Sequence, residues 1–298
     1  MPSQRDIKAR IDSVRNTRKI TRAMELVASA KLRRAQHRIE ALRPYASNMR
    51  RLMSQAAKSS GSLSGFPLLA ERETIEKAVI VTITGDRGLA GAFNVNILRT
   101  GFGQEAAMRA DGVGDVSYVA VGKKGAGTLA FRGMPIDRTF QGFSTEPTFA
   151  DAEQVTEHAV RGFTEGGVDR VLIVYNAFKS ILEQEVTVEQ LLPVERSAIE
   201  DDDDDDVEHF HERSLAFFEP EPEEFLERLL PTYLDTTIYR ALLESAAAEY
   251  AARRNAMRNA TDNAGSLIDD LTLAMNRARQ ASITQEILEV VAGADALS

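Results

Sequence analysis

Apolar residues near the N-terminus recur with the spacing of a long helix that packs against a second helix. Ile7, Ile11 and Val14 are separated by steps of four and three residues. The same steps join Ala28, Leu32, Ala35, Ile39 and Leu42. Alternating steps of four and three form the seam of a coiled coil. We therefore predict an N-terminal coiled-coil helix over residues 1–58, in which Ser3 to Arg43 alone would extend about 60 Å.

A second long helix is predicted over residues 221–298, which are nearly all helix formers after Pro231. Two apolar series there repeat the same steps, namely Leu267, Leu271, Ala274 and Ala278, and then Ile283, Ile287, Val290 and Ala294. Because the two helices lie at opposite ends of the chain, they can pair only as an antiparallel coiled coil. From Thr232 to Ala296 the second helix would extend about 100 Å, which exceeds its partner by about 40 Å.

The surplus end of the C-terminal helix is apolar on nearly every side. Its apolar residues are Ile287, Leu288, Val290, Val291, Ala292, Ala294 and Leu297. A helix that is apolar all round must be buried, and the chain has no further segment to cover this one. We therefore expect another protein to enclose it.

Between the two helices, the period changes from that of helices to that of buried strands. Continuous β-branched runs predict strands at Lys77–Thr84, Val116–Val121 and Arg170–Tyr175, with an added strand at Gln184–Leu192. Helical stretches lie near residues 94–109, 123–132 and 149–165. Strands that alternate with helices are typical of a largely parallel sheet. The predicted fold is thus α-rich α+β, a long antiparallel coiled coil with an inserted Rossmann-like α/β domain at 75–220.

Composition excludes several classes of function. The 298 residues include no cysteine and no tryptophan, and only 6% are aromatic. Disulfides, thiolate metal sites and a cysteine nucleophile are therefore excluded, and an aromatic surface that stacks on bases is not expected. No run of about 18 apolar residues occurs, so we expect no membrane-spanning helix.

The net charge of −9 is unevenly distributed along the chain. Residues 1–58 contain 15 basic and 4 acidic residues, whereas residues 195–224 contain 2 basic and 14 acidic ones. Such asymmetry indicates separate surfaces for different partners. The basic helix could bind nucleic acid through phosphate contacts or an acidic protein surface, and its apolar seam favours the protein.

Two glycine-rich segments could cradle a phosphate, because each follows a predicted strand and precedes a helix. Gly85–Gly91 lacks the spacing of both the dinucleotide fingerprint and the P-loop. Gly122–Gly125 ends a strand in a similar way and has two lysines between its glycines. A tight turn is the favoured interpretation of both segments.

Histidines and aspartates offer a weaker case for a metal or a catalytic site. His209 and His211 could bind a divalent metal, and Asp201–Asp206 could bind calcium, although the spacing of a calcium loop is absent. An acidic, solvated loop over 200–212 is favoured instead. His158 lies on a predicted helix face, and no nucleophile that would pair with it is evident. The sequence therefore predicts neither a metal nor a catalytic residue.

Two long motifs closely resemble the gamma subunit of F-type ATP synthases. The segment from Ile7 to Arg34 resembles that family's N-terminal helix. Asn276–Ile287, followed by Gly293 and Ala294, resembles its C-terminal signature. Shorter similarities follow the right order, at Thr84–Asn94, Glu219–Pro222 and Ile238–Ser245. The resemblance covers essentially the whole chain.

The resemblance implies a non-catalytic rotor shaft, without a cofactor, present once in a proton-driven ATP synthase. In that family the coiled coil threads a hexamer of alternating alpha and beta subunits. The globular part sits on the epsilon subunit and the membrane c-ring, so nucleic acid is not an expected partner. The expected location is peripheral to the plasma membrane, on its cytoplasmic side, in a bacterium, since no transit peptide is recognised.

The resemblance also implies which residues contact these partners. Contacts to the alpha and beta hexamer are expected from Lys19, Arg22, Met24, Arg279, Gln280, Thr284, Glu286, Ile287, Val290 and Val291. Contacts to epsilon and the c-ring are expected from Phe217, Phe218 and Glu219. The alternatives are a generic coiled-coil scaffold, a nucleotide-binding enzyme that uses Gly85–Gly91, and a nucleic-acid-binding protein.

Overall fold

The computed structural model describes residues 4–59, 65–181, 183–195 and 222–295. The chain divides into two compact units, one of residues 1–30 with 253–298 and one of residues 31–252. Two long helices contribute to both units, α1 (Gln4–Ser59) and α5 (Pro222–Asp295).

The two helices differ less in length than the sequence predicts. Helix α1 has 56 residues and α5 has 74. At the rise of an α-helix, this difference corresponds to about 27 Å. Because α1 continues well beyond Arg43, the predicted surplus of about 40 Å is too large.

In the first unit, α1 and α5 pack against each other in antiparallel orientation. Ile7 and Ile11 lie in one buried cluster with Ile268. Further along α1, the hydroxyls of Thr21 and Thr261 share a hydrogen bond of 2.7 Å. Residue numbers therefore fall along α5 as they rise along α1, which confirms the predicted antiparallel coiled coil.

The seam of α5 differs in phase from the predicted one. Its least exposed positions follow steps of four and three, namely Met257, Thr261, Ala264, Ile268, Leu271, Met275 and Ala278. Leu271 and Ala278 were predicted correctly, whereas Leu267 and Ala274 are exposed. The polar Thr261 belongs to the seam, although a search for apolar residues passes over it. Apolar spacing alone therefore allows two positions of the seam on α5, one residue apart.

The second unit is built on a five-stranded sheet in the order β3-β2-β1-β4-β5. The strands are β1 (Lys77–Ile83), β2 (Asp115–Val121), β3 (Ile136–Phe140), β4 (Arg170–Phe178) and β5 (Gln184–Leu192). The first four run parallel, and β5 is antiparallel to β4. The connecting helices are α2 (Phe93–Ala110), α3 (Lys123–Phe131) and α4 (Phe149–Thr164). The predicted Rossmann-like sheet is confirmed.

Strand β3 was not predicted from the sequence. Its five residues include Asp137, Arg138 and Thr139, and only Phe140 is buried. It pairs on one side with β2. Because this strand lies at one end of the described sheet and has mostly exposed or half-buried side chains, it lacks the apolar run that identifies a central strand.

Side chains of β1 alternate between two cores, one on each face of the sheet. Val79, Val81 and Ile83 pack on the face that α4 and parts of α1 and α5 cover. Ala78 and Ile80 pack on the opposite face, toward α2 and α3. Burial on both faces explains why this strand has a continuous apolar run.

Helix α5 begins at Pro222, and Pro231 lies inside it. Leu226, Leu230 and Leu234 of this stretch are all buried in the core that covers one face of the sheet. Burial of a continuous apolar stripe outweighs the helix-breaking tendency of one proline.

Candidate functional site

The carboxyl ends of the parallel strands, where sheets of this kind usually bind ligands, are closed by the chain's own groups. The Asp86 carboxylate accepts hydrogen bonds from the backbone N–H of Lys123 and of Gly142, both at 3.0 Å. The Thr84 hydroxyl accepts a hydrogen bond of 2.9 Å from the N–H of Gly125. A carboxylate thus occupies the start of α3, where a phosphate would bind. This arrangement favours the tight-turn interpretation of Gly85–Gly91.

The turn Gly85–Gly91 leaves one large apolar side chain outside. Leu89 is 62% exposed, and its φ of +65° is the only positive value at a non-glycine residue in the described part of the chain. Its neighbour Ala90 is buried in the core beside α2. The sequence indicates either a tight turn or a phosphate cradle for this segment, and neither interpretation identifies the leucine as exposed.

His158, which the sequence analysis considered for catalysis, is half-buried on α4. Its ring packs edge-on to Phe140, with 6.2 Å between the ring centroids. Burial lowers the pKa of His158, with further lowering by Arg138 and Arg161, while Asp137 opposes the shift. The folded chain therefore favours the neutral imidazole.

This lowered pKa predicts a pH-dependent stability. A group with a lower pKa in the folded state stabilises fully above its unfolded pKa of about 6.5 and loses that contribution as the pH falls below it. The free energy of unfolding should thus decline between pH 7 and 5, and His158→Asn should decline less. Denaturant titrations at several pH values measure this, with exposed His37→Asn as the control. An identical decline in His158→Asn and the parent would contradict the assignment.

In the first unit, α1 between residues 18 and 27 has polar side chains in the seam and apolar ones outside. Thr21 and Glu25 are buried, and Arg22 Nη1 lies 2.8 Å from Glu25 Oε2. By contrast, Ile20 and Val27 are 61% and 58% exposed. A coiled coil without a further partner buries apolar side chains in its seam and exposes polar ones. Here the polar side chains lie in the seam and the apolar ones point outward. This part of the helix is therefore a candidate partner surface.

Three residues predicted for hexamer contact lie on or beside this surface. Lys19 and Arg22 are exposed, and Met24 is half-buried. Ile20, Leu26 and Val27 were not predicted from the sequence as contact residues. A signal was available, because Ile20, Ala23, Met24 and Val27 follow the i, i+3, i+4, i+7 pattern of one helix face.

The end of α5 presents the other predicted hexamer contacts. Every described side chain from Arg279 to Ala292 is exposed. The polar contacts there are local, since the Thr284 hydroxyl donates to the Gln280 carbonyl at 2.9 Å and Glu286 accepts from Ser282 at 3.2 Å. Ile287, Val290 and Val291 are between 52% and 72% exposed. We call residues 279–292 the apolar tip.

The two predicted groups of contacts are separate surfaces. Thr261 is the hydrogen-bond partner of Thr21, and Arg279 lies about five helical turns further along α5, a distance of about 27 Å. The apolar tip and the surface around Met24 therefore form two levels of one unit.

Phe217, Phe218 and Glu219 lie outside the described residues, as do Asp201–Asp206, His209 and His211. Among the described helices, none is long and apolar enough to cross a membrane.

Comparison with known proteins finds relatives along the full chain. Residues 3–297 match the ATP synthase family. The ATP synthase gamma chain of Cyanothece sp. is 40% identical, and the match covers 100% of both chains. That of Mycolicibacterium smegmatis is also 40% identical, over 99% of this chain and 97% of the relative.

Solved structures with a similar fold come from ATP synthases. A chain from the Euglena gracilis mitochondrial ATP synthase has a TM-score of 0.67 at 20% identity, covering 99% of this chain and 94% of that one. A chain from the central stalk and c-ring of the Tetrahymena thermophila mitochondrial enzyme has a TM-score of 0.58 at 25% identity, covering 81% and 99%. Since the family match and these two bacterial relatives span nearly its whole length, the chain belongs to the family of ATP synthase gamma chains.

Proposed function

We propose that this chain is the central rotor shaft of an ATP synthase, transmitting torque between a proton-driven membrane c-ring and a hexamer of alpha and beta subunits. The observation that carries the proposal is the apolar tip, whose side chains are exposed in the chain itself. Exposed valine and isoleucine at successive turns need a covering surface. A hexamer whose central cavity has an apolar lining, here called the bearing, would supply that cover.

The second level of contact would involve the outward surface around Met24. Ile20 and Val27 supply apolar area there, and the flanking Lys19 and Arg22 supply exposed positive charge. Acidic segments of the beta subunits would complement this mixture, because opposite potentials guide and orient docking. At the tip, Arg279, Gln280, Thr284 and Glu286 would supply polar contacts to the same hexamer.

A torque element also needs a firm connection between its long helix and its sheet. In the second unit, Arg240 Nη2 of α5 lies 2.6 Å from Glu189 Oε2 of β5, and Nη1 donates to the Tyr175 hydroxyl at 3.0 Å. That hydroxyl in turn donates to Glu189 Oε1 at 2.6 Å. Burial raises the pKa of Tyr175, so the hydroxyl keeps its proton. Such a directional network resists sliding of α5 along β5.

We infer a non-catalytic role because the ligand-binding edge of the sheet is filled by Asp86 and Thr84. The chemistry of ATP would belong to the other subunits, and one copy of this chain would serve each complex without a cofactor.

Epsilon and the c-ring are proposed partners through Phe217, Phe218 and Glu219. The complex would lie on the cytoplasmic face of a bacterial plasma membrane, in keeping with the bacterial relatives at 40% identity.

Co-expression with the alpha and beta subunits of the same genome tests this proposal. Native mass spectrometry should show a 3:3:1 assembly, and steady multisite ATP hydrolysis should require this chain. Hydrolysis by alpha and beta that is unchanged when the chain is omitted would refute the shaft.

The rival functions have distinct outcomes in the same preparation. A scaffold would assemble without affecting turnover. A nucleotide-binding enzyme would give micromolar nucleotide binding to the full chain alone by calorimetry, and a nucleic-acid-binding protein would show steeply salt-dependent DNA binding.

A further inference from the structure

The last turns of α1, which belong to the second unit, have a strongly basic face. Residues 43–58 include 4 basic residues and no acidic one. Arg43, Arg50 and Arg51 are exposed, and steps of seven and eight residues from Arg43 place all three on one stripe of the helix. We call these three residues the arginine face. It extends along about 12 Å of α1.

The arginine face has no acidic partner among the residues that the structure describes. Elsewhere on α1 in the same unit, Lys31 pairs with Glu146 at 3.4 Å. No ion pair with a described residue involves any of the three arginines. Three positive charges within about two helical turns repel one another. An anionic partner would offset that repulsion.

A cavity of about 680 Å³ lies between the arginine face and the end of β5. Arg50 lines this cavity together with Val194 and Glu195, and α5 forms another wall. Glu195 is the last described residue before the stretch 196–221. That stretch therefore starts at the wall of a cavity that Arg50 also lines, and it ends where α5 begins.

The stretch after Glu195 contains a run of negative charge to which the rotor function assigns no role. Asp201–Asp206, here called the aspartate run, consists of six consecutive aspartates. It begins six residues after Glu195, and six extended residues reach about 20 Å. Carboxylates form strong, directional hydrogen bonds with guanidinium groups, and opposite potentials guide such contacts. The aspartate run thus has the charge and the reach that the arginine face requires.

We propose that the aspartate run docks on the arginine face of α1 in the same chain and shields it from other polyanions. This docking is independent of the rotor function, because both groups belong to one chain. A single exposed ion pair contributes little. The short connection after Glu195, however, gives the run an effective concentration near the millimolar range, so several weak pairs form together.

Disulfide trapping in the full chain tests whether the two groups meet, since the chain has no cysteine of its own. Ser47 lies four residues from both Arg43 and Arg51, so Asp203→Cys with Ser47→Cys should form a disulfide under mild oxidation. Gln36→Cys in place of Ser47→Cys is the matched control, because Gln36 is also half-buried and lies about 16 Å away along α1. The Ser47 pair should oxidise at least about fivefold faster at low salt, and about 1 M sodium chloride should remove the difference.

Two results of this trapping would overturn the proposal. Equal oxidation of both pairs would show that the aspartate run does not prefer the arginine face. A disulfide that joins two chains would place the contact between copies instead of within one. Non-reducing electrophoresis followed by peptide mass spectrometry distinguishes these outcomes.

Binding of heparin, used as a polyanion probe, tests the shielding. Replacing every residue of Asp201–Asp206 with asparagine should raise the affinity of the full chain for heparin at least about tenfold at low salt. Adding Arg50→Gln and Arg51→Gln should remove most of that gain, because the newly accessible cations are lost. Arg33→Gln with Arg34→Gln is the matched control, since it alters an adjacent, exposed pair on the same helix, and it should remove much less.

Unchanged heparin affinity in the all-asparagine variant would overturn the shielding. An equal loss of the gain with either arginine pair would show that the run acts through net charge alone, and would overturn docking on one face. The rotor function is tested separately, because neither result bears on assembly with the alpha and beta subunits or on ATP hydrolysis by the complex.

Discussion

Replacing Ile287 and Val290 with aspartate is expected to reduce multisite ATP hydrolysis by the assembled complex at least about tenfold, a barrier change of about 1.4 kcal/mol. Both side chains are more than half exposed in the chain, so its own free energy of unfolding should change by less than about 0.5 kcal/mol. The loss arises in the complex, where each new carboxylate would enter an apolar bearing at a cost of several kcal/mol.

Gln285→Asp is the matched control, because it adds one negative charge at an exposed polar position of the same tip. It breaks the 3.0 Å hydrogen bond from Gln285 to Glu289, and we expect little effect on hydrolysis. Chemical denaturation of the chain and a coupled ATPase assay of the complex measure the two quantities. Hydrolysis at the parent rate in the double aspartate variant would show that no apolar bearing encloses the tip.

Gly125→Ala is expected to lower the free energy of unfolding by about 3 kcal/mol or more. The added β-carbon would lie 2.5 Å from Thr84 Oγ1 and 2.9 Å from Thr84 Cγ2. That hydroxyl is itself fixed by a 2.8 Å hydrogen bond to the Val121 carbonyl. Neither α3 nor the end of β1 can move without breaking contacts of the sheet. Equilibrium unfolding in urea measures the change.

Gly127→Ala, two residues along the same helix, controls for helix propensity. Nothing lies within 4 Å of the position that its β-carbon would take. Alanine should there raise the stability by about 0.5–1 kcal/mol, because glycine disfavours a helix interior. If both variants shifted stability in the same direction by similar amounts, close packing of α3 on Thr84 would not be the cause.

The elements of the fold with a strong local period could be predicted from the sequence. Strand β5 has the predicted bounds, Gln184–Leu192, and β1 begins at the predicted Lys77. Short β3 could not be predicted, because it depends on pairing with the separate strand β2 rather than on its own side chains. Pro231 stays within α5 for a similar reason, since the surrounding leucines are buried against the sheet.

The candidate contact residues divide in the same way. Exposure of Ile287, Val290 and Val291 follows from a local pattern, because a helix that is apolar on every side exceeds what one partner helix can cover. The pattern that joins Ile20 and Val27 on one helix face is visible in the sequence. Which face points outward needed the phase of the seam, and the buried Thr21 conceals that phase because it is polar.

The sequence by itself determined the long helices, most strands, the absence of cysteine chemistry and the family, because each depends on local period, composition or ordered motifs. Only the tertiary structure decided which face of α5 meets α1. It also decided that Asp86 and Thr84 close the sheet edge, and that Glu249 packs on Gly85. Those outcomes join residues from tens to more than a hundred positions apart. Their free energy arises from packing and hydrogen bonds that exist only once the chain has folded.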